Sequence, residues 1–253
     1  MALRYNLVLY YLWIAPHIFL AVVSVLMVVK RLHRHFPVFF TYTLYETAVF
    51  IILFLHRNTL IAPVDQVFYR YFFILTLGGS TALRFGIIQE IFNNVFRDYQ
   101  YLTSVAARVM RWITGALVVA AIATAVCSSG TISDNLMAGV ALLDRSVAII
   151  QAGLLLFLFL FSRVFGLSWR NFTFGVGLGF GIFASMDLAV WALRLTSSRV
   201  SFLKELNLAL TGSYHISALV WLGYLLAAER YVSISASPVT ELKQWSQELE
   251  RSL

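Results

Sequence analysis

Long apolar stretches dominate this sequence and decide what it can fold into. A helix that crosses a bilayer needs about 20 mostly apolar residues. Stretches of that length occur at 7–29, 36–55, 67–92, 107–127, 137–162, 172–193 and 207–228. Only 12% of the residues are charged, about half the share found in a soluble domain, so the chain cannot cover a water-facing surface. We therefore predict an all-α, polytopic integral membrane protein, with a seven-helix domain over 1–230 and a tail over 231–253.

The distribution of Lys and Arg predicts the orientation of the helices. The connections that contain Lys30, Arg97 and Arg163 carry more basic residues than those that contain Arg57 and Arg199. The richer side normally faces the cytoplasm, so we expect an outside N-terminus and a cytoplasmic C-terminus. We expect the cell membrane as the location, which is the inner membrane in a bacterium. The basic residues form no single face, so their net charge of +7 does not indicate a nucleic-acid partner.

The sixth stretch contains glycines at alternate positions, in the sequence FGVGLGFGIFASMD over 174–187. A phosphate-binding loop would lie between a strand and a helix of a soluble sheet, and the surrounding sequence has no such pattern. In a helix, Gly175 and Gly179 share one face, and Gly177, Gly181 and Ser185 share another. Small residues four apart allow neighbouring membrane helices to approach closely. We interpret the stretch as a membrane helix that packs tightly against its neighbours.

Two short matches suggest an internal repeat. Residues 40–42 (FTY) resemble 172–174 (FTF), and Gly-Ser occurs at both 79–80 and 212–213. These matches are separated by 132 and 133 positions. They favour a parallel repeat of three helices, one linking helix and three more helices. In transporters built this way, the binding site lies between the two halves.

Ionisable and polar residues inside the spans indicate a functional site. A charge near the bilayer centre costs roughly 2.5–3.5 kcal/mol, so it normally pairs inward or faces water. His17, Glu46, Arg84, Asp187 and His215 fall at similar depths, which predicts a common pocket in the outer half of the bundle. We expect a direct ion pair between Glu46 and Arg84 at its centre, because their helices are joined by a short loop. The other predicted members of this pocket or ion-pair network are Tyr42, Tyr214, Asp144, Arg145 and Gln151.

Residues inside the spans also limit the cofactors. Lys30, Lys204 and Lys243 all lie outside the predicted spans, so no lysine can form a retinal Schiff base. The lone Cys127 excludes an intramolecular disulfide and a cysteine metal cluster, and we predict no metal site. His17 and His215 lie in the first and last spans, where two imidazoles could ligate a b-type haem. A haem or quinone redox protein is therefore an alternative function.

The leading prediction is a non-enzymatic function, in which a transporter-like or receptor-like pocket recognises or passes a small solute or proton. A structural subunit of a larger membrane complex is the third predicted function.

After Pro238, the residues Val239, Leu242, Trp245 and Leu249 recur at helical spacing, which indicates an amphipathic tail. Expected partners are membrane lipid, a small molecule or ion, and another copy or a partner subunit bound through the helix faces or the tail.

Overall fold

The computed structural model describes residues 2–58, 66–95, 132–161, 171–196 and 200–227, together with single positions between 108 and 127. Within these residues the chain is helical and contains no strand, which confirms the all-α prediction. The helices are α1 (Ala2–Val29), α2 (Pro37–Asn58), α3 (Gln66–Val95), α4 (Ile132–Phe161), α5 (Phe172–Thr196) and α6 (Val200–Ala227). A 3-10 turn, Leu32–Arg34, joins α1 to α2. The predicted tail over 231–253 lies outside the described residues.

Five helices are long and apolar enough to cross a membrane, as a multi-pass membrane protein requires. Their candidate spans are Tyr10–Val29, Pro37–His56, Arg70–Val95, Asp134–Leu160 and Phe172–Arg194. Helix α6 was predicted as the seventh span over 207–228 but is not among them. Its apolar residues are interrupted by Ser213, Tyr214, His215 and Ser217. Of the predicted fourth span, 107–127, only separate positions are described, and these are helical.

The six helices form a closed ring in which each contacts the next along the chain. Helix α6 contacts α1 and so closes the ring, while α3 and α5 also contact each other across it. We call the end of the bundle that contains residues 29–37 the inner end, and the opposite end the outer end. Large apolar side chains such as Leu44, Ile51 and Ile52 of α2 are exposed on the outside of the ring, where a bilayer would cover them.

Two neighbouring pairs in this ring run parallel. Along α3 and α4, Arg70 contacts Asp134, Thr81 contacts Asp144, and Phe92 contacts Phe157. These contacts advance in the same direction on both helices. Helices α1 and α6 are also parallel, because Tyr11 packs against His215 near the outer end and Lys30 bonds to Leu225 at the inner end. Between α3 and α4 the chain must therefore return from the inner end to the outer end.

Buried aromatic rings fill the inner half of the ring. Phe39 packs edge-on against Trp221, with ring centroids 5.4 Å apart, and Phe180 lies 4.7 Å from the same tryptophan. These rings belong to α2, α5 and α6, so they join opposite sides of the bundle. We call this set the inner aromatic cluster; it consists of Phe36, Phe39, Tyr42, Phe172, Phe180 and Trp221.

A carboxylate from α3 fixes the inner end of α2. The backbone N–H groups of Val38 and Phe39 donate to Glu90 at 2.9 and 3.0 Å. The first N–H groups of a helix have no partner within the helix, and the helix dipole favours a negative charge at that end. Pro37 at the start of α2 leaves one fewer N–H to satisfy. Glu90 therefore holds the start of α2 against α3.

The alternating glycines of α5 lie against both of its neighbours. A Cβ on Gly175 or Gly179 would overlap the ring of Tyr224 or Trp221 on α6. A Cβ on Gly177 or Gly181 would overlap leucine side chains of α4, Leu158 and Leu155. Ser185 shares the face of Gly177 and Gly181 by helical spacing, as predicted, but it is exposed rather than packed against a neighbouring helix. The close approach of α4 to α5 through small residues thus ends at Gly181.

We predict that Gly179→Ala destabilises the protein by about 1–3 kcal/mol, because the added methyl group overpacks the contact with Trp221. The matched control is Gly153→Ala on α4, where a Cβ meets no atom within 4 Å. There, alanine should be neutral or stabilising, since it favours a helix by about 1 kcal/mol over glycine. Thermal unfolding in detergent measures both variants. A melting temperature of Gly179→Ala equal to or above that of the wild type would contradict the packing.

Candidate functional site

A cavity of about 240 Å³ lies near the middle of the bundle. Its volume is below the range of roughly 300–1,000 Å³ typical of pockets for drug-sized ligands, so it suits a small molecule. Five helices contribute to its wall: α2, α3, α4, α5 and α6. The lining residues are Tyr42, Glu46, Leu77, Ser80, Arg84, Asp144, Phe183, Asp187 and Tyr214.

Helical spacing places the polar lining residues on inward faces. Tyr42 and Glu46 lie one turn apart on α2, as do Ser80 and Arg84 on α3. Residues at i and i+4 share a helix face, so each helix presents two polar groups to the cavity. Tyr42 also belongs to the inner aromatic cluster and is 2% exposed. The cavity therefore ends against packed rings on its inner side.

Arg84 forms an ion pair with Asp144 of the parallel helix α4. Both side chains are largely buried, with 5% and 17% of their surfaces exposed. Thr81 donates a second hydrogen bond to the same Asp144 oxygen at 3.0 Å. A charge-assisted contact of this kind is stronger than a neutral hydrogen bond, and here it joins α3 to α4 at the level of the cavity.

A second ion pair joins α4 to α5. The Arg145 guanidinium donates to Asp187 at 2.8 Å, and it also lies 5.5 Å from the ring centre of Trp191. Adjacent residues of a helix point in directions about 100° apart. Asp144 therefore faces α3 while Arg145 faces α5. Two consecutive residues of α4 thus connect it to both neighbours.

Glu46 forms no ion pair with any residue that the structure describes. Its carboxylate accepts a hydrogen bond from the Ser80 hydroxyl at 2.5 Å. Among the described residues, no Lys, Arg or His nitrogen lies within 4.0 Å of it. The direct Glu46–Arg84 ion pair expected from the sequence is therefore not formed. The Arg84 side chain contacts Asp144 of α4 instead, although Asp144 is 60 residues further along the chain.

Several buried polar atoms of the predicted site have no hydrogen-bond partner within the part of the chain that the structure describes. Two belong to lining residues: the Arg84 Nε donor and the Tyr214 hydroxyl, which lies near Tyr42 without hydrogen-bond geometry. Gln151 is 2% exposed, and both of its amide atoms are unpaired. It lies two turns from Asp144 on α4 and does not line the cavity. Buried polar groups of this kind are normally paired, so those in the wall mark places where a ligand atom would be favourable.

The two predicted haem ligands lie outside the cavity lining. The His17 ring stacks on Phe50 with centroids 4.2 Å apart, and its Nδ1 is 2.9 Å from the Trp13 carbonyl oxygen. The His215 ring contacts Tyr11 and Phe19, and its buried Nδ1 has no partner. Both imidazoles thus contact aromatic rings, and neither lines the central cavity. We derive no haem chemistry from them, and the haem alternative stays a prediction.

The lining also includes residues outside the predicted site. Ser80 precedes Arg84 by one turn, so its position on the same face was readable from the sequence. Leu77 and Phe183 are apolar residues within apolar helices, and the sequence carries no signal that distinguishes them from lipid-facing or core residues. In comparisons with protein-family models, curated proteins and solved structures, nothing matched this chain.

A double-mutant cycle can test the ion pair at the cavity. We expect Arg84→Gln and Asp144→Asn each to destabilise the protein by about 3 kcal/mol, because each leaves the partner charge buried and unpaired. The double variant should recover at least about 1 kcal/mol of their summed cost. The control cycle combines Arg84→Gln with Glu46→Gln, which have no direct contact. Unfolding in detergent measures both cycles, and a larger coupling in the control cycle would contradict the observed pairing.

Proposed function

We propose that this membrane protein recognises or passes a small solute or a proton through the central cavity. The observation that carries the proposal is the meeting of ionisable side chains from α2, α3, α4 and α5 around one cavity. Each charge costs roughly 2.5–3.5 kcal/mol in the middle of a bilayer. Ion pairs that served only to hold helices together would be more stable without a cavity beside them, since a void forfeits packing contacts.

The packing on either side of the cavity supports an opening toward the outer end. On the inner side, Phe39, Phe180 and Trp221 are buried and pack against one another. At the level of the cavity, Glu46 and Ser80 are only partly buried. A solute would therefore enter from the outer end and meet the aromatic cluster as a barrier.

The parallel packing of α3 and α4 supports the proposal that the chain crosses the membrane seven times. The connection over 96–131 must bring the chain back to the outer end, and the apolar stretch 107–127 is long enough to do so as a helix. Exposed apolar side chains at described positions, including Trp112, Val119 and Val126, suit a lipid-facing helix. Helix α6 then crosses beside α1 and parallel to it.

The order of contacts also fits the proposed parallel repeat. If α1–α3 correspond to α4–α6, the parallel contact between α3 and α4 corresponds to the parallel contact between α6 and α1. Helices α2 and α5 would then be equivalent members of the two halves. They face each other across the bundle, because Phe39 of α2 contacts Phe172 and Phe180 of α5. The cavity lies between the two halves, as in transporters built from repeats.

Cysteine labelling can test the proposed orientation. In a chain with Cys127→Ser, a cysteine introduced at Ser197 should react with a membrane-impermeant maleimide in intact cells. A cysteine at Ser237 should react only after lysis, because the surplus of Lys and Arg places that end in the cytoplasm. The reverse pattern would overturn the orientation and the outward opening of the cavity.

Ligand-induced stabilisation can test the proposed function. We expect at least one class in a panel of amines, carboxylates, amino acids and sugars to stabilise the purified protein. At ten times the dissociation constant, the gain is about 1.4 kcal/mol. Leu77→Trp should abolish the effect because it fills the cavity. The matched control Leu75→Trp should not, because Leu75 is 72% exposed on the same helix.

Two results together would contradict the function. They are a panel in which no compound stabilises the wild type more than Leu77→Trp, and liposomes that hold a pH gradient equally well with and without the protein. The cavity would then take neither a solute nor a proton, and the reading as a structural subunit would stand.

A further inference from the structure

The charges around the cavity do not balance. Arg84 is paired with Asp144, and Arg145 is paired with Asp187. Glu46 is the third carboxylate of this group, and its hydrogen-bond partner is the neutral Ser80 hydroxyl. With all five side chains ionised, this group carries a net charge of −1, and among the described residues Glu46 is the carboxylate without a cation within 4.0 Å.

Among the residues that the structure describes, the groups around Glu46 include no cation that is not already paired. Tyr42 on the same helix and Tyr214 on α6 are neutral phenols, and Asp144 and Asp187 are themselves acidic. Arg84 lines the same cavity but is engaged by Asp144. His17 on α1 stacks on Phe50 and forms no ion pair with Glu46 within 4.0 Å. Because an uncompensated charge in an apolar interior is costly, a positive charge inside the cavity would stabilise the protein.

We infer that the cavity binds a small organic cation, such as a protonated amine or amino alcohol, with Glu46 as its anionic partner. The inference rests on the proposed function and specifies the chemical class of its solute. The cation would supply the positive charge that the wall lacks.

The remaining wall of the cavity suits an organic cation. Aromatic side chains, Tyr42, Phe183 and Tyr214, come from three different helices. The faces of such rings attract ammonium groups with about 0.5–2 kcal/mol, and Phe183 already contacts one cation, the Arg84 guanidinium, at 5.9 Å. A metal ion would need a different set of ligands. The described residues contain no group of three or more His, Cys, Asp or Glu side chains that could hold one.

Two buried donors suggest why an amino alcohol fits better than a simple amine. Both belong to the wall: the Arg84 Nε has no hydrogen-bond partner among the described residues, and the Tyr214 hydroxyl has only the Tyr42 hydroxyl beside it. A hydroxyl oxygen on the ligand would accept a hydrogen bond from either, while its ammonium group lies beside Glu46. A zwitterion would also offer an acceptor, but it has no net charge and would leave the surplus negative charge of the wall in place.

The test compares molecules of the same shape and different charge. The probes are choline, its neutral isostere 3,3-dimethyl-1-butanol and the acidic isostere 3,3-dimethylbutanoate, with ethanolamine as a smaller cation. Calorimetric titration of the purified wild-type protein measures the binding of each. We expect at least one cation to bind no less than tenfold more tightly than both isosteres. Equal or tighter binding of an isostere, or no binding of either cation, would overturn the inference.

Matched variants then test the role of Glu46. Glu46→Gln should weaken cation binding at least tenfold, because it removes the charge and keeps the shape. Glu205→Gln makes the same change at an exposed position of α6 and should leave the affinity unchanged. Equal affinities of the wild type and Glu46→Gln would overturn the inference. The comparison of isosteres on the wild type does not depend on whether either variant folds.

The outcomes separate this inference from the proposed function. If an acidic or neutral compound binds and Leu77→Trp abolishes its binding, the cavity is a solute site but its ligand is not a cation. If neither these probes nor the broader panel bind, and the pH gradient in liposomes is also unaffected, both proposals fall.

Discussion

Arg84 and Asp144 neutralise each other inside an apolar bundle, and they do so across the longest connection between two consecutive described helices, α3 and α4. The two helices run parallel, so no short loop could have placed them side by side. A mispaired α4 would leave Arg84 and Asp144 uncompensated, which costs far more than a mispaired apolar surface in lipid. The ion pair therefore specifies which helix follows α3 in the ring, and the positions of α5 and α6 depend on it.

Packing then determines how closely the helices approach. Glycines on α5 allow the rings of Trp221 and Tyr224 to lie directly against its backbone on one side, and leucines of α4 on the other. The Ser217 hydroxyl and the Trp221 Nε1 donate to the carbonyl oxygens of Gly179 and Val176. Aromatic side chains with a polar atom are stable in a buried position when that atom finds a partner. The small side chains of α5 thus allow α4 and α6 to lie close to it on either side, and all three helices contribute to the cavity wall.

The sequence was sufficient to predict the six helices that the structure describes and many of the polar residues in the cavity wall, because charged residues are conspicuous in apolar spans. Glu46, Arg84 and Asp187 could be assigned to one site from their depth alone. Their partners could not be assigned, since depth does not tell which helices are neighbours. The expected pairing of Glu46 with Arg84 assumed that the shortest connection decides ion pairs, whereas Arg84 contacts Asp144 of α4, 60 residues further along the chain. Gln151 shares a helix face with Asp144 but lies two turns away, outside the cavity. Phe183 gave no signal, because an apolar residue in an apolar helix can face lipid, core or ligand equally well.

The bond from Glu90 to the start of α2 has a mechanical consequence at the cavity. It fixes the axial position of α2 relative to α3, and the Ser80–Glu46 hydrogen bond fixes the same register two to three turns away. A shift of α2 along α3 by one residue, about 1.5 Å, would break the hydrogen bonds of both Glu90 and Glu46, so α2 and α3 are held as one rigid pair. Helices α5 and α6 are joined in the same way by the bonds of Ser217 and Trp221. Between these two pairs of helices lie edge-on ring contacts of Phe39 and Tyr42 with Phe180 and Trp221, which involve no hydrogen bond. A shift of one pair of helices against the other would therefore move these rings past one another, and it would be resisted at α4, whose ion pairs join it to both α3 and α5.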